Sequence, residues 1–171
     1  MERQIHGFIY EDLIKNKYNL ISTTYTDKWD LKDQDGKKWV VKTFKKGSEL
    51  PLSDIFINSN RNEDFILQIG IWENDKNNIV EEYNIFVDIE KWKTFFEFNF
   101  YLELKNWIKN EVSNSYLYDS IWKLNVKKWK KIWGKTRLVQ PRFKRDHKTQ
   151  RRIQSAVSNK NLKLFLESVK K

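Results

Sequence analysis

The stretch Tyr25–Asp54 reads YTDKWDLKDQDGKKWVVKTFKKGSELPLSD, and it predicts the centre of the fold. It contains two short segments of strand composition, joined through the dipeptide Asp35-Gly36. Asp-Gly between two such segments is a strong signal for a tight β-hairpin. The stretch therefore predicts two antiparallel strands, with Asp30 on the first and Lys42 in the middle of the second.

The segments on both sides of the hairpin alternate between helical and strand patterns. Before it, apolar residues at helical spacing within 6–15 place Glu11 near the border of an apolar face. After it, residues 45–52 break the pattern, and Ser53 or Asp54 is placed to cap a short helix that begins at Ile55. The apolar residues of the first helix are Phe8, Ile9, Leu13 and Ile14. The other expectations are strand character over 16–24, strands over 65–72 and 79–87, helices over 89–107, 117–133 and 159–169, and a short extended segment over 136–143.

These elements predict an α/β (α+β) fold in which a mixed β-sheet is flanked by helices. We expect a single domain over residues 1–171, with a core at about 7–110 and a helical, basic part at about 111–171. A hydrophobic content of 39%, with eight Trp, eleven Phe and seven Tyr, supplies enough apolar area for a buried core. The tryptophans at helical spacing between 122 and 133 are expected in that core.

The composition also excludes several classes of site. The chain has no cysteine, which excludes disulfides, thiolate zinc sites and cysteine nucleophiles. Two histidines leave few candidates for a catalytic triad or a multi-histidine metal site. There is no apolar run of about 18 residues and no signal-peptide pattern at the start, so we expect an intracellular protein with no membrane partner.

The positive charge is concentrated near the C-terminal end. The net charge is +10, yet residues 1–134 hold 21 Lys and Arg against 21 Asp and Glu, while residues 135–171 hold 12 against 2. A neutral body with a basic end is typical of a protein that binds a polyanion. A solvated surface that only aids solubility would give the same count.

Arginine and glutamine are interleaved in this basic end, and they are the side chains that contact guanine and adenine edges, whereas lysines mostly neutralise phosphates. The mixture predicts binding to double-stranded DNA, although RNA or nonspecific DNA affinity remains an alternative. Two lysines near the hairpin could also meet phosphates, as could the hydroxyls of Ser48 and Ser53. The candidate DNA-binding residues are Lys45, Lys46, Arg137, Arg142, Lys144, Arg145, Lys148, Arg151, Arg152 and Gln154.

The hairpin also suggests a catalytic site. Val40 and Lys42 lie two apart on one strand, so their side chains share a face, and Asp30 across the hairpin can reach it. From Gly7 to about Asp88 the chain resembles the PD-(D/E)XK nuclease superfamily. The resemblance implies a restriction endonuclease-like core, with Asp30 as a magnesium ligand and Lys42 as the residue that activates the attacking water. It also implies that Glu11, from the first helix, joins them.

Val40 departs from the family pattern, because the family has an acid two residues before the lysine. Valine offers no side-chain oxygen to a hard cation such as Mg²⁺ or the alternative Mn²⁺. Glu11 could complete the site, a displaced Glu49 or Asp54 could replace the missing acid, and the Val41 carbonyl could add a ligand. Otherwise the site is degenerate and the protein only binds. The structural alternative is that Asp30 caps the turn and Lys42 is an ordinary lysine on a solvent face.

The function expected from these features is magnesium-dependent hydrolysis of DNA phosphodiester bonds, most simply by a type II restriction-type endonuclease. A Holliday-junction or other structure-selective nuclease is one alternative, and a catalytically inactive DNA-binding protein on a nuclease scaffold is another. Duplex cleavage at one site needs two active centres, so we expect a homodimer. The aromatic-rich helices between residues 89 and 133 are the expected interface.

Overall fold

The computed structural model describes residues 2–24, 27–113, 119–147 and 150–171, with side chains described over 7–24, 27–111, 120–145 and 152–171. These residues form a mixed α/β structure with two sheets, which confirms the predicted fold class. The helices are α1 (Glu2–Lys17), α2 (Ile55–Ser59), α3 (Ile89–Lys93), α4 (Tyr101–Ser113), α5 (Asp119–Trp133) and α6 (Leu162–Val169), with a 3₁₀ turn at Asn159–Asn161. The strands are β1 (Ile21–Ser22), β2 (Leu31–Lys32), β3 (Lys38–Lys45), β4 (Leu50–Asp54), β5 (Phe65–Trp72), β6 (Ile79–Val87), β7 (Val139–His147) and β8 (Gln150–Val157).

The first sheet contains the predicted hairpin and has the order β1-β2-β3-β5-β6. β3 and β5 run parallel, with Lys42 opposite Ile69, and the other pairs are antiparallel. Seven of the eight residues of β5 are buried, because this strand lies between two neighbours and is covered on both faces. β2 pairs with β3 only at Leu31 and Lys32, so most of β3 has an open edge on that side.

The second sheet has the order β4-β8-β7, and it corrects the prediction of a helical C-terminal part. The basic residues lie on the antiparallel hairpin of β7 and β8, between helices α5 and α6. β4, within a segment predicted to lack regular structure, pairs with β8 about a hundred residues later. The predicted core at about 7–110 and the predicted part at about 111–171 share this sheet, since residue 50 of β4 lies opposite Val157.

One large hydrophobic cluster connects the second sheet, helices α3 to α6 and one face of the first sheet. Trp122, Trp129 and Trp133 lie in it, as predicted. A smaller cluster joins α1 to the opposite face of the first sheet through Tyr10 and Ile14. Each large apolar side chain that is fully buried contributes about 1.5–3 kcal/mol, so the first sheet is held from both sides.

Two helical predictions need correction. The segment 89–107 forms α3 and α4 with a turn between them, because its closely spaced Phe95, Phe96, Phe98 and Phe100 cannot all reach the core from one helical face. On α1, the buried residues are Tyr10 and Ile14, whereas Phe8, Ile9 and Leu13 of the predicted apolar face are exposed. Glu11 therefore lies beside the buried face.

The expected dimer interface also changes. The aromatic rings of α3, α4 and α5 pack into the protein's own core, so they do not offer a surface to a second subunit. Large apolar side chains that remain exposed on α4 and α5 are Leu102, Ile121, Leu124 and Ile132. Homodimerisation stays a prediction. Among the described residues, no helix is both long enough and apolar enough to cross a membrane.

Candidate functional site

A pocket of about 460 Å³ opens where β2 leaves the edge of β3. Glu11, Asp30 and Lys42, the three predicted catalytic residues, all line it. The pocket is closed on the far side by the second sheet, which contributes Ser53 from β4 and Gln154 from β8. The remaining lining residues are Gly7, Phe8, Val41, Thr43 and Pro51. The site thus lies between the two sheets, with α1 along one side.

Asp30 is held by the backbone of β3. Its amide nitrogen donates to the Trp39 carbonyl at 3.0 Å, and its Oδ2 accepts a hydrogen bond of 2.7 Å from the Val41 amide. The carboxylate therefore accepts a hydrogen bond that a neighbouring strand would otherwise accept, just before β2 begins at Leu31. Its second oxygen, Oδ1, has no hydrogen-bond partner among the described residues. That oxygen is free to meet a ligand in the pocket.

Lys42 reaches across the pocket to the second sheet. Its Nζ donates to Ser53 Oγ at 2.6 Å, so the solvent-face alternative for this lysine is wrong. Burial lowers the pKa of the Lys42 ammonium, and nearby Arg61 adds to this effect, while Asp30 and Glu11 oppose it. A lowered pKa increases the fraction of neutral amine at a given pH, which allows the side chain to accept a proton.

Ser53 adopts an unusual backbone conformation to meet this lysine. Its φ is 68°, in the left-handed region, and the register of β4 against β8 shifts between Pro51 and Ser53. The backbone carbonyl of Ser53 accepts a hydrogen bond of 2.8 Å from Ser155 Oγ. Bulges and left-handed residues outside glycine are uncommon and concentrate at functional sites, where surrounding contacts hold them.

Glu11 faces the same pocket from α1. Its pKa is raised to about 7, first by burial and then by the negative charges of Asp30 and Asp12; Lys42 and Lys15 oppose the shift. Two carboxylates in one pocket disfavour each other's ionised form, and a cation between them would relieve that repulsion. Glu11 and Asp30 thus line one pocket, and each charge disfavours the ionised form of the other.

Arg61 is a buried cation near the site that the sequence pattern did not identify. Only 3% of its surface is exposed, and its guanidinium lies over the rings of Trp29, at 4.9 Å, and Phe65, at 5.4 Å. Its Nε donates to Asn58 Oδ1 at 3.0 Å, and its Nη1 donates to the Lys28 carbonyl. Burial lowers the pKa of Arg61 to about 10, against the opposing charges of Asp30 and Asp27.

Val40 stands where the expected site pattern has an acid, and its position in the structure explains the valine. Val40 is 2% exposed and belongs to the large hydrophobic cluster, so an acid there would be buried among apolar side chains. The structure does not bring the reserve acids into the pocket either. Glu49 pairs with Arg142, with an Oε2 to Nη2 distance of 2.5 Å, and Asp54 caps α2 through the amides of Phe56 and Ile57.

The donor set fits a magnesium ion bound mainly through solvent. No group of three acidic, histidine or cysteine side chains suited to a metal occurs among the described residues. Mg²⁺, however, commonly uses one or two protein carboxylates and keeps several waters. Glu11 and the second oxygen of Asp30 are the two carboxylate groups here that would serve as such ligands, and the Val41 carbonyl stays a predicted third.

The predicted DNA-binding residues have different positions. Gln154 lines the pocket, and Arg142 is engaged with Glu49. Lys46 lies 4.0 Å from Glu73, and the Arg137 guanidinium lies over the Trp133 ring at 5.6 Å. The residues that are exposed or half-buried within the described part are Lys45, Lys144, Arg145 and Arg152. The side chains of Lys148 and Arg151 lie outside the described residues.

Ser53 and Arg61 show which signals the sequence lacked. The sequence predicts a capping or phosphate-contacting role for Ser53. Its hydrogen bond with Lys42 depends on how the second sheet packs against the first, which the sequence pattern does not show. The charge count does not predict the lysine-rich face of α5, because all five lysines of this helix fall within residues 1–134, whose total charge is neutral. Neither a scan against protein-family models nor a search of curated proteins finds a match to this chain.

Proposed function

We propose that the protein is a magnesium-dependent endonuclease that hydrolyses phosphodiester bonds in DNA. The observation that carries the proposal is the pocket at the open edge of β3, where Glu11, Asp30 and Lys42 meet. Two carboxylates and an amine of lowered pKa are the groups that this hydrolysis requires. The basic surface beside the pocket supports a polyanionic substrate.

In this mechanism Glu11 and Asp30 would hold the magnesium ion. When bound, the ion would supply Lewis acidity and offset the negative charge on the leaving oxygen. Lys42, held by Ser53, would take a proton from the attacking water as the water oxygen bonds to phosphorus and the bond to the leaving sugar oxygen breaks; that oxygen then takes a proton from solvent. The resulting ammonium faces the negative charge that develops on the phosphoryl oxygens and stabilises it. Gln154 lines the same pocket and would contact the DNA strand beside the scissile bond.

The Val40 position favours a second candidate, a DNA-binding protein without catalytic activity. The valine is part of the core, and no third acid is among the described residues that line the pocket, so these residues supply one carboxylate fewer than the nuclease pattern. Such a protein would retain the basic surface and bind DNA without cutting it.

Digestion of plasmid and mixed duplex DNA, with Mg²⁺, with Mn²⁺ and with a chelator, separates the two candidates. The endonuclease should cut only with a metal ion, and Asp30→Asn or Lys42→Met should lower the cleavage rate by about 10²–10⁴-fold while DNA affinity is kept. Asp35→Asn, in the exposed hairpin turn, is the matched control and should cut normally.

The cleavage pattern then tests the kind of nuclease. Discrete fragments would support a restriction-type enzyme, and a preference for four-way junctions over linear duplex would support a structure-selective one. Metal-dependent cutting that is unaffected by both site variants would contradict the site. Binding without any cutting would favour the inactive DNA-binding protein.

A further inference from the structure

A second basic feature lies outside the candidate site. A groove of about 770 Å³ runs between α5 and β7, and we name it the α5 groove. No aspartate or glutamate is among the described residues that line it, and the uncharged ones are Val126, Gln140 and Pro141. Its six basic residues are Lys123, Lys127, Lys130, Lys131, Lys135 and Arg142.

The charge of the α5 groove is largely uncompensated. Residues 120–145 contain ten Lys and Arg and no Asp or Glu: Lys123, Lys127, Lys128, Lys130, Lys131, Lys135, Arg137, Arg142, Lys144 and Arg145. Arg142 pairs with Glu49, but none of the five groove lysines forms an ion pair with another described residue. Lysines four apart on a helix repel each other, as Lys123 and Lys127 do. An anionic partner would relieve this repulsion.

The lysines are presented by a rigidly packed helix. Trp122, Trp129 and Trp133 anchor a different face of α5 in the large hydrophobic cluster. From Lys123 to Lys131 the helix rises ~12 Å, a length over which one strand of DNA presents three to four phosphates at ~3.4 Å each. The spacing therefore suits a run of backbone phosphates better than a single small anion.

The α5 groove is connected to the candidate site by the second sheet. Arg142 of the groove lies opposite Gln154 in the pairing of β7 with β8, and Gln154 lines the site pocket. Gln154 in turn lies opposite Asp54 of β4. Neighbouring strands are ~4.8 Å apart, so about 10 Å separates β4 from β7. This is a fraction of the ~34 Å helical turn of duplex DNA.

We propose that the α5 groove binds the phosphate backbone of double-stranded DNA, beside the segment that enters the site pocket. That the bound DNA is also the cleaved DNA rests on the proposed function; the binding of the backbone by the lysines does not. The groove would give the protein a sequence-independent contact with DNA, and the paired residues Arg142 and Gln154 connect the groove to the site.

The test compares two variants of the full chain that lose the same charge. The groove variant is Lys123→Gln, Lys127→Gln, Lys130→Gln and Lys131→Gln. The control is Lys76→Gln, Lys105→Gln, Lys160→Gln and Lys163→Gln, all of which lie outside the groove. Binding to a labelled duplex of about 30 base pairs is measured by fluorescence anisotropy, in chelator, from about 50 to 200 mM salt.

The wild-type protein and the control should show the same dependence of log Kobs on log salt concentration. The groove variant should lose about two to four from the magnitude of this slope, at ~0.9 for each phosphate contact removed. If circular dichroism shows that the fourfold variant is unfolded, the double variants at 123 and 127 and at 130 and 131 should each lose about half as much.

Three outcomes would decide against the proposal or separate it from the nuclease function. A folded groove variant with an unchanged slope would show that the α5 groove does not bind DNA, even if the wild-type protein cuts DNA with Mg²⁺. Tighter binding to a matched RNA duplex would overturn its assignment to DNA. If the slope depends on the groove lysines but the protein cuts no DNA, the groove binds DNA and the nuclease function is wrong.

Discussion

The hydroxyl of Ser53 holds the Lys42 amine in the pocket, from a backbone conformation that serine rarely adopts. Ser53→Gly removes the hydroxyl, and glycine accepts a φ of 68° without strain. We expect the free energy of unfolding to stay within about 1 kcal/mol of wild type. The cleavage rate should fall about tenfold, because Lys42 loses the acceptor that orients it.

Plasmid cleavage rates and thermal unfolding would check this expectation. Ser53→Asn is the matched variant, because asparagine tolerates positive φ and restores a side-chain acceptor. It should recover part of the lost rate. Full activity in Ser53→Gly would show that the hydrogen bond does not position Lys42.

Glu11 gives the site a pH dependence whose sign follows from its pKa. The pocket raises this pKa to about 7 from an ordinary value of 4.5. The protonated form is therefore favoured in the folded protein, and this stabilisation is fully present below pH 4.5 and lost as the pH rises through about 7. Without divalent metal, we expect Glu11→Gln to be more stable than wild type at pH 8, by roughly 1 kcal/mol after solvent screening.

Denaturant unfolding of both proteins at pH 6 and pH 8 measures this difference. Glu103→Gln, at an exposed position of α4, is the control and should not change the pH dependence. Calorimetric titration should show Mg²⁺ binding to the wild type more tightly at pH 8 than at pH 6, because the ionised carboxylate is the ligand. If the free energy of unfolding has the same pH dependence in wild type and Glu11→Gln, the pKa of Glu11 is not raised.

A site residue can be predicted from the sequence when the pattern that identifies it lies close to it along the chain. Asp30 and Lys42 lie on either side of an Asp-Gly turn, so the sequence brings them together without information on the rest of the chain. The helical spacing of its neighbours was enough to predict that Glu11 borders the buried face of the first helix. The same spacing predicted the wrong residues for that face, since Phe8, Ile9 and Leu13 are exposed. Arg61 could not be predicted, because its burial depends on aromatic rings that tertiary packing places around it.

The packing of α1 on the first sheet depends on a close approach at Gly70 in β5. A Cβ there would lie 2.5 Å from Tyr10 Cζ, and the Tyr10 hydroxyl is fixed by hydrogen bonds with Gln68, at 3.0 Å, and Glu82, at 2.9 Å. Gly70→Ala should therefore displace α1 and lower the free energy of unfolding by about 1–3 kcal/mol. Because Glu11 follows Tyr10 on this helix, Mg²⁺ affinity should also fall.

Chemical unfolding and calorimetric titration test this prediction together. Gly7→Ala, on the same helix, has nothing within 4 Å of the added Cβ and is the matched control for stability. It should be neutral or slightly stabilising, since alanine favours a helix over glycine by up to about 1 kcal/mol. If Gly70→Ala were as stable as wild type, Tyr10 would not be the contact that seats α1.

Among the elements, those with strong local patterns were predicted well. The bounds of β5 and β6 match, Asp54 caps α2, and α5 ends before Gly134, whose φ is 87°. β4 was missed because Pro51 and Gly47 interrupt the local pattern, while its pairing partner β8 lies about a hundred residues further on. Pairing that distant cannot be inferred from spacing alone.

Across the whole molecule, the two sheets share one hydrophobic cluster, and the candidate site lies where they meet. The C-terminal residues fasten the second part of the chain to the first, since the amide of Lys171 donates to the Phe86 carbonyl at 2.9 Å and that of Asp88 to the Val169 carbonyl at 2.9 Å. The second sheet contributes to both the α5 groove, through Arg142, and the site pocket, through Gln154.

The position of β4 has a consequence for the growing chain during synthesis. Glu11, Asp30 and Lys42 all lie within the first 42 residues, and Ser53 follows soon after. The hydroxyl of Ser155, which fixes the Ser53 backbone, is made only 102 residues later. A nascent chain therefore carries every acid and the lysine of the site long before β8 exists to hold β4 in place. The pocket is completed only after β8 has been made.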